Sequence, residues 1–390
     1  MFKIAKIKYF ILFLFLISLC FVKWVNAQVL IQDKVKTVKA EVIEISKQEN
    51  RIIPGTDTDA TIQSIKVRIL EGKNQDKIVS IENDYLNLSK NQKVYLTELT
   101  RGEDGKIVYS VADPYRLPII LFFTVLFLVL TLIFGGIQGV RGLISLLFSF
   151  VIIIYILLPG ILNGYSPVLI SLLTSSFIIV LGSYITHGFN KTTSSAVLGM
   201  IVTVFITGLL AFVAIRWSHL TGYSSEEVVY LNFDTRGGVD LIGLLFGGIL
   251  IGLLGILYDV AIGQAISVEE LHNIAPHTSK WVIYKRAVRI GREHIGALVN
   301  TLAIAYVGVA LPLLLLLVHS SRESILIVLN KEVFATEIIR TLIGSIGIIL
   351  AVPVTTWIAV LIVVKINSEN LSQKEKDLEK AKIDRSMHHH

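Results

Sequence analysis

The sequence predicts an α-helical polytopic membrane protein with seven spans, an N-terminal signal or anchor, and a small exported all-β domain. Of its 390 residues, 53% are hydrophobic and only 17% are charged, whereas soluble domains carry about 25% charged residues. Mean hydropathy is +0.68. Apolar runs of about 20 residues, the length that a bilayer requires, recur after residue 116. Residues 28–115 are instead polar and rich in β-formers, which indicates a separate domain.

The N-terminal residues 1–27 have the pattern of a secretory signal peptide. A basic head precedes a short apolar core, and Val25-Asn26-Ala27 resembles a small-residue cleavage site. The alternative is an uncleaved signal anchor, with which Lys23 and Trp24 are compatible. Either form exports the segment that follows. The single cysteine, Cys20, excludes a disulfide or cysteine-metal framework.

Residues 28–115 are predicted to form an extracytoplasmic β-domain, an OB-like barrel. Turn residues separate five short predicted strands, at 38–45, 61–70, 77–81, 93–99 and 106–111. No row of stacking aromatic residues and no basic groove accompanies them, so no nucleic-acid partner is predicted. Because a fold alone does not set a function, the domain either caps the membrane region or binds a partner or envelope ligand.

Residues 116–366 are predicted to be the transmembrane domain, with a charged cytoplasmic tail at 367–390. The predicted spans are 117–134, 140–158, 167–186, 194–215, 239–264, 296–318 and 340–364. Two further helices are predicted along the membrane surface, at 268–294 on the inner face and at 324–340 on the outer face. Lys and Arg cluster on alternate loops. The positive-inside rule therefore places the β-domain outside a plasma membrane and the C-terminus in the cytoplasm.

The run from Val239 to Ile266 is predicted to organise the membrane domain. Tyr258-Asp259 places a carboxylate in apolar sequence, which is costly unless the group is solvated, paired or used. Helical spacing puts small residues above Asp259 and polar residues below it on one face, namely Gly252, Gly255, Gly263, Ser267 and Glu270. This face is either a lined pathway or a packing face whose carboxylate reaches a nearby interface.

Two later spans add polar or broken positions to a predicted pathway beside Asp259. Asn300 and Thr301 lie in one span and Thr355 in the last, where Pro353 would interrupt the helix and free a carbonyl. Residues predicted for helix packing or breaks are Gly248, Gly252, Gly255, Gly308, Pro312, Gly344, Gly347 and Pro353. Glu270 and Arg292 are candidates for a cytoplasmic gate, with plain ion pairing as the alternative.

Four segments, in order, resemble the YibE/F-like family of multi-pass bacterial membrane proteins. They are HGFNKTTSSAVLGM, GGILIGLLGILYDVAIGQAISVEELH, IGREHIGALVNTLAIAYVGVALPLLLLL and RTLIGSIGIILAVPVTT. The resemblance covers nearly everything after the signal and implies a plasma-membrane protein, with transport as the usual guess. It adds Tyr306 to the transport candidates Tyr258, Asp259, Asn300, Thr301 and Thr355. The glycine-lined faces suit a homo-oligomer or a complex with a related YibE/F-like subunit.

The leading hypothesis is a transporter or channel for a small solute or ion, embedded in the lipid bilayer. An intramembrane aspartyl protease is excluded, because its two carboxylates must share a proton. The nearest membrane acid, Asp240, lies nineteen positions before Asp259, or about 28 Å along a helix. We therefore predict no enzyme, and no metal or cofactor. The alternative is a non-transport scaffold or assembly component whose exported β-domain binds a partner or envelope ligand.

Overall fold

The computed structural model describes residues 34–52, 59–84, 86–101, 106–319 and 323–364. They fall into two compact units that divide between Gly135 and Gly136. The predicted signal or anchor at 1–27 and the predicted tail at 367–390 lie outside the described residues.

A curled antiparallel sheet of five strands forms most of the first unit and confirms the predicted β-domain. Its strands are β1 (Lys34–Ile52), β2 (Asp59–Ile69), β3 (Ile78–Asn83), β4 (Lys93–Thr100) and β5 (Ile107–Pro114), in the order β3-β2-β1-β4-β5. The long β1 pairs with β4 in its first half and with β2 in its second. Two register shifts after Val42 bend β1, since a bulge increases local twist.

Alternate residues of the strands point inward and form the core of the sheet, among them Val42, Val67 and Leu96. One polar side chain, Gln63, is fully buried with them. Its amide nitrogen donates to the Leu88 carbonyl at 3.1 Å, and its amide oxygen accepts from the Leu88 N–H at 2.8 Å. These two bonds satisfy the backbone N–H and carbonyl of Leu88, which the core shields from water.

The first apolar helix, α1 (Leu117–Ile152), is not one straight helix. Gly136 has φ 52° and ψ −143°, which breaks it between two of the predicted spans. A π-helical turn (Ile153–Leu157) and α2 (Leu158–Leu162) continue the chain. The 46 residues from Leu117 to Leu162 would extend about 69 Å as one helix, more than twice the hydrocarbon thickness of about 30 Å.

The second unit is a helical bundle arranged around α6. Its remaining helices are α3 (Pro167–His187), α4 (Lys191–Trp217), α5 (Glu226–Asp234), α6 (Leu241–Ile274), α7 (Lys280–Val309), α8 (Leu311–His319), α9 (Ile325–Asn330) and α10 (Glu332–Val363). Helix α6 packs against α3, α4, α7 and α10, and Leu250, Leu253 and Leu257 are fully buried at the centre.

Side chains that cap helices set where the main helices begin. Asn190 Oδ1 accepts from the Thr193 N–H at 2.6 Å, at the start of α4. Asp240 Oδ1 accepts from the Gly243 N–H at 3.0 Å, at the start of α6. Such caps satisfy N–H groups that have no partner within the helix. Asp240 is therefore a capping residue.

Among the described residues, five helices are long and apolar enough to cross a membrane, or six if the bent pair α7–α8 is one span. The predicted count of seven treats the two sides of the Gly136 break as separate spans, and it stays a prediction. The bend between α7 and α8 is 70°. It lies at Ala310, two residues before Pro312, whose ring lacks an N–H and disfavours helical geometry before it.

Three sequence-based predictions about the helices need correction. The predicted surface helix at 268–294 is instead the end of α6 and the beginning of α7. The predicted outer helix at 324–340 is divided between α9 and the first turns of α10. In both places the amphipathic pattern belongs to a long helix that packs on the bundle. The predicted interruption at Pro353 is not found, since α10 stays helical to Val363.

Candidate functional site

The glycine-rich face of α6 is left uncovered by the described residues except at Gly252, where Tyr306 lies against it. Gly248, Gly255, Asp259 and Gly263 are exposed, whereas the opposite side of the helix is buried. A Cβ atom added at any of these three glycines would meet nothing within 4 Å. The face that the sequence predicts therefore exists as one surface, and Asp259 lies on it among apolar helices.

Helix α7 approaches this face at Gly252. A Cβ atom at Gly252 would lie 2.5 Å from the Tyr306 hydroxyl oxygen, so a larger residue there would displace the Tyr306 side chain. Farther along the same helix pair, a Cβ atom at Gly291 would lie 2.5 Å from the Gln264 amide nitrogen. These two contacts fix α6 and α7 antiparallel, and Asp259 lies between them along α6.

Asn300 and Thr301 are exposed on α7. The Thr301 hydroxyl donates to the Ala297 carbonyl of its own helix at 2.9 Å. Within the described residues no hydrogen bond joins Asn300 or Thr301 to Asp259. Gly308 is also uncovered, since a Cβ atom there would meet nothing within 4 Å. Their predicted role as pathway lining stays a prediction.

Thr355 lies elsewhere, in the tight interface between α4 and α10. It is fully buried, and a Cβ atom at Gly199 would lie 2.8 Å from the Thr355 Cα. The Thr355 hydroxyl has no hydrogen-bond partner. The next hydroxyl along, that of Thr356, donates across to Gln264 Oε1 at 2.8 Å and joins α10 to α6. The structure thus gives Thr355 a packing contact and Thr356 a polar one.

Gly344 and Gly347 also lie in packed interfaces. A Cβ atom at Gly347 would lie 2.8 Å from the Thr207 hydroxyl oxygen, and one at Gly344 would lie 3.0 Å from Leu302. Both glycines therefore bring α10 close to its neighbours, as small residues do between membrane helices.

Tyr258 and Asp259 are neighbours in sequence but belong to different sides of α6. The Tyr258 hydroxyl donates to the Gly182 carbonyl on α3 at 3.3 Å. Glu270 and Arg292, the predicted gate, are both exposed, and no ion pair joins them in the part of the chain that the structure describes. That part also holds no group of three or more His, Cys, Asp or Glu side chains able to bind a metal.

A cavity that the sequence did not reveal lies at the beginning of α6. Its volume is about 300 Å³. Gly247 and Gly248 line it from α6, Ser224 from the loop before α5, and Arg340 from α10. Gly222 also lines it, and the rest of its wall is leucine, isoleucine and valine: Leu157, Leu158, Ile161, Val228, Leu241, Leu244, Leu245 and Ile251.

Arg340 is the charged group of this cavity and forms an ion pair with Glu337. Nη1 of Arg340 lies 2.9 Å from Glu337 Oε1, and both side chains are only about a quarter exposed. The Nε atom is buried and has no hydrogen-bond partner among the described residues. Tyr306 lies close enough to both charges to interact with them electrostatically. An ion pair among apolar helices marks a functional site by default.

A second acidic residue of α10 holds the loop at the mouth of the cavity. The Glu332 carboxylate accepts from the backbone N–H groups of Thr221 and Gly222, each at 2.8 Å. It also accepts from the Thr221 hydroxyl at 2.7 Å. Because Gly222 and Ser224 line the cavity, Glu332 fixes that wall to the helix that carries Arg340.

The cavity and Asp259 lie on the same face of α6. We name the line formed by Gly248, Gly252, Gly255 and Asp259 the glycine track. Its members are spaced by four, three and four residues, which keeps them on one face. The eleven residues from Gly248 to Asp259 correspond to about 16 Å along the helix.

The membrane unit matches a known family model. Residues 123–365, more than half of the chain, match the model described as YibE/F-like protein. The match contains the whole glycine track, Tyr306, Glu337 and Arg340. No curated protein and no solved structure gives a significant match.

Proposed function

The chain belongs to the YibE/F-like family, and we propose that it is a plasma-membrane transporter or channel for a small solute or ion. One observation carries the proposal: the Arg340 cavity and Asp259 lie on one face of α6, with Gly248 and Gly255 open between them and the Tyr306 hydroxyl against Gly252. Charged side chains at membrane depth are rare and mark solute or ion pathways. Gly248 and Gly255 on this face leave room for a solute beside the helix.

The depth of the two charged positions supports this proposal. Asp259 lies eighteen residues after Leu241, the first residue of α6, or about 27 Å along the helix. Arg340 lies eight residues after Glu332, the first residue of α10, or about 12 Å along it. With the β-domain outside, the cavity would open in the outer half of the membrane, and Asp259 would lie near its cytoplasmic edge.

We further propose that the curled sheet is an OB-like barrel on the outer side. Its strand order places β3 and β5 at the two edges, and these edges come close to each other. A sheet whose edges approach in this way has the form of a partly open five-stranded barrel.

A second candidate function is supported by the same uncovered face. Lipid contact is costly for Asp259, and small residues are the usual contact surface between membrane helices. A second copy or a related YibE/F-like subunit packed on this face would make the chain an assembly component. Its exported β-domain would then bind the partner or envelope ligand.

Ion and proton flux into liposomes that carry the purified protein tests the proposed transport. We expect flux in the wild type and its loss in Asp259→Asn, provided that this variant stays folded and monodisperse. Asp234→Asn makes the same change on α5, at an exposed position outside the spans, and should keep the flux. Flux that survives in Asp259→Asn would give Asp259 a packing role. No flux across cations, anions and pH gradients would favour the assembly component.

A further inference from the structure

The guanidinium of Arg340 has one edge in use and one edge free. Its Nη1 atom contacts both carboxylate oxygens of Glu337, at 2.9 and 3.3 Å. Its Nε atom is buried and has no partner, and the described residues offer no acceptor to Nη2. Guanidinium donors are arranged in a planar fork that matches a carboxylate or phosphate. Nη2 can therefore donate to an oxygen of an anion, and a small shift of the side chain that uncovers Nε would give the strong, bidentate form of this contact.

The cavity that Arg340 lines suits a small amphipathic molecule. Its volume is about 300 Å³, at the lower end of the range for small-molecule sites, about 300–1,000 Å³. The residues that line it are mainly leucine, isoleucine and valine, with Ser224 as a further polar side chain. Apolar walls with few polar groups fix the orientation of a ligand through its polar head.

We propose that this cavity binds an amphipathic anion, with its carboxylate or phosphate head on the Arg340 guanidinium and its apolar body against the aliphatic walls. The head belongs either to a free organic acid or to a membrane lipid. Glu337 keeps the empty site electrically neutral and competes with the ligand for Arg340. The site does not depend on transport, because it is defined by binding.

Calorimetric titration of the full-length protein in phosphatidylcholine nanodiscs tests the free-acid source. The probe is hexanoate, and hexanol is the uncharged control of the same length. We expect hexanoate to bind the wild type and hexanol to bind more weakly. Arg340→Gln should weaken hexanoate binding about tenfold or more, the usual range for a lost charged hydrogen bond. Arg340→Lys should also weaken it, because lysine keeps the charge but lacks the fork.

Two other variants separate binding from a general loss of structure. Glu337→Gln removes the competing carboxylate and should tighten hexanoate binding, which a misfolded protein cannot do. Gly248→Leu should block the cavity without a clash at Cβ, where nothing lies within 4 Å. Gly142→Leu is its matched control, since the space beside Gly142 is equally open and Gly142 does not line the cavity.

The lipid source is tested by thermal unfolding in nanodiscs with and without phosphatidic acid. A higher midpoint for the wild type but not for Arg340→Gln would support the proposal and identify the head as that of a lipid. The proposal is overturned if neither hexanoate nor phosphatidic acid responds to Arg340→Gln, if hexanol binds as well as hexanoate, or if Glu337→Gln weakens binding. Hexanoate binding without any flux would keep this site while the transport proposal fails.

Discussion

Replacing Gly199 by alanine should push α4 and α10 apart, because Gly199 packs directly against the backbone and the side chain of Thr355. The new Cβ atom would lie 2.8 Å from both the Cα and the Cβ of Thr355. Carbon atoms in contact prefer about 3.5–4.0 Å, so the helices must separate by about 1 Å. Neither the Cα nor the Cβ of Thr355 can rotate away, and Arg340 is carried by the helix that must move.

The size of the effect follows from two opposing terms. Overpacking costs about 1–3 kcal/mol, and the rigid backbone places this contact near the upper value. Alanine favours a helix over glycine by about 1 kcal/mol. We therefore expect Gly199→Ala to lower the free energy of unfolding by about 2 kcal/mol. Gly296→Ala is the matched control, since nothing lies within 4 Å of its Cβ position. Gly296→Ala should therefore gain only the stability of about 1 kcal/mol by which alanine favours a helix over glycine.

The difference between the two alanine variants, about 3 kcal/mol, can be measured by unfolding the full-length protein in micelles with sodium dodecyl sulfate. Tryptophan fluorescence follows the transition, because Trp217 and Trp357 lie in α4 and α10, the two helices concerned. Equal midpoints for Gly199→Ala and Gly296→Ala would refute the close approach of these helices.

Three further substitutions test buried polar groups. Thr355→Val removes a buried hydroxyl that has no partner among the described residues, so the free energy of unfolding should stay equal or rise by about 1 kcal/mol. A marked fall in that free energy would contradict this expectation. Lost flux with unchanged stability would support the predicted lining role of Thr355. Thr356→Val removes the bond to Gln264 and should lower that free energy by about 1 kcal/mol; the same effect from both threonines would show that the bond contributes nothing. Gln63→Leu leaves the Leu88 backbone unpaired and should destabilise the sheet by about 3 kcal/mol. The loss is measured as faster tryptic cleavage of the first unit. Unchanged cleavage would contradict this role of Gln63.

Much of the fold can be predicted from short stretches of the sequence. All five predicted strands occur, because alternation and turn residues mark strands over a few neighbours. The apolar runs predicted as spans at 167–186 and 194–215 correspond closely to α3 and α4, since runs of this length are unambiguous. The face shared by Gly252, Gly255 and Asp259 follows from helical spacing alone.

The site was less predictable, because it depends on which helices meet. The small faces of α6 and α10 look alike in sequence, yet the α10 face packs and the α6 face stays open. Arg340 and Glu337 fell at the border between a predicted surface helix and a predicted span. The mean hydropathy of the sequence changes at these residues, although helix α10 continues through both of them. Their spacing of three residues on one helix was the available signal.

The central claim is that the glycine track faces water inside the membrane region, and cysteine accessibility tests it most directly. Cys20 is the only cysteine, so Cys20→Ser gives a background without thiols. Gly255→Cys places a thiol on the track, and Leu209→Cys places one on α4 where the side chain is 64% exposed and should face lipid. Maleimides react with the thiolate, which forms in water. We expect a water-soluble maleimide to label Gly255→Cys in liposomes and to leave Leu209→Cys unlabelled. Absence of labelling at Gly255→Cys, or equal labelling of the two, would contradict the track.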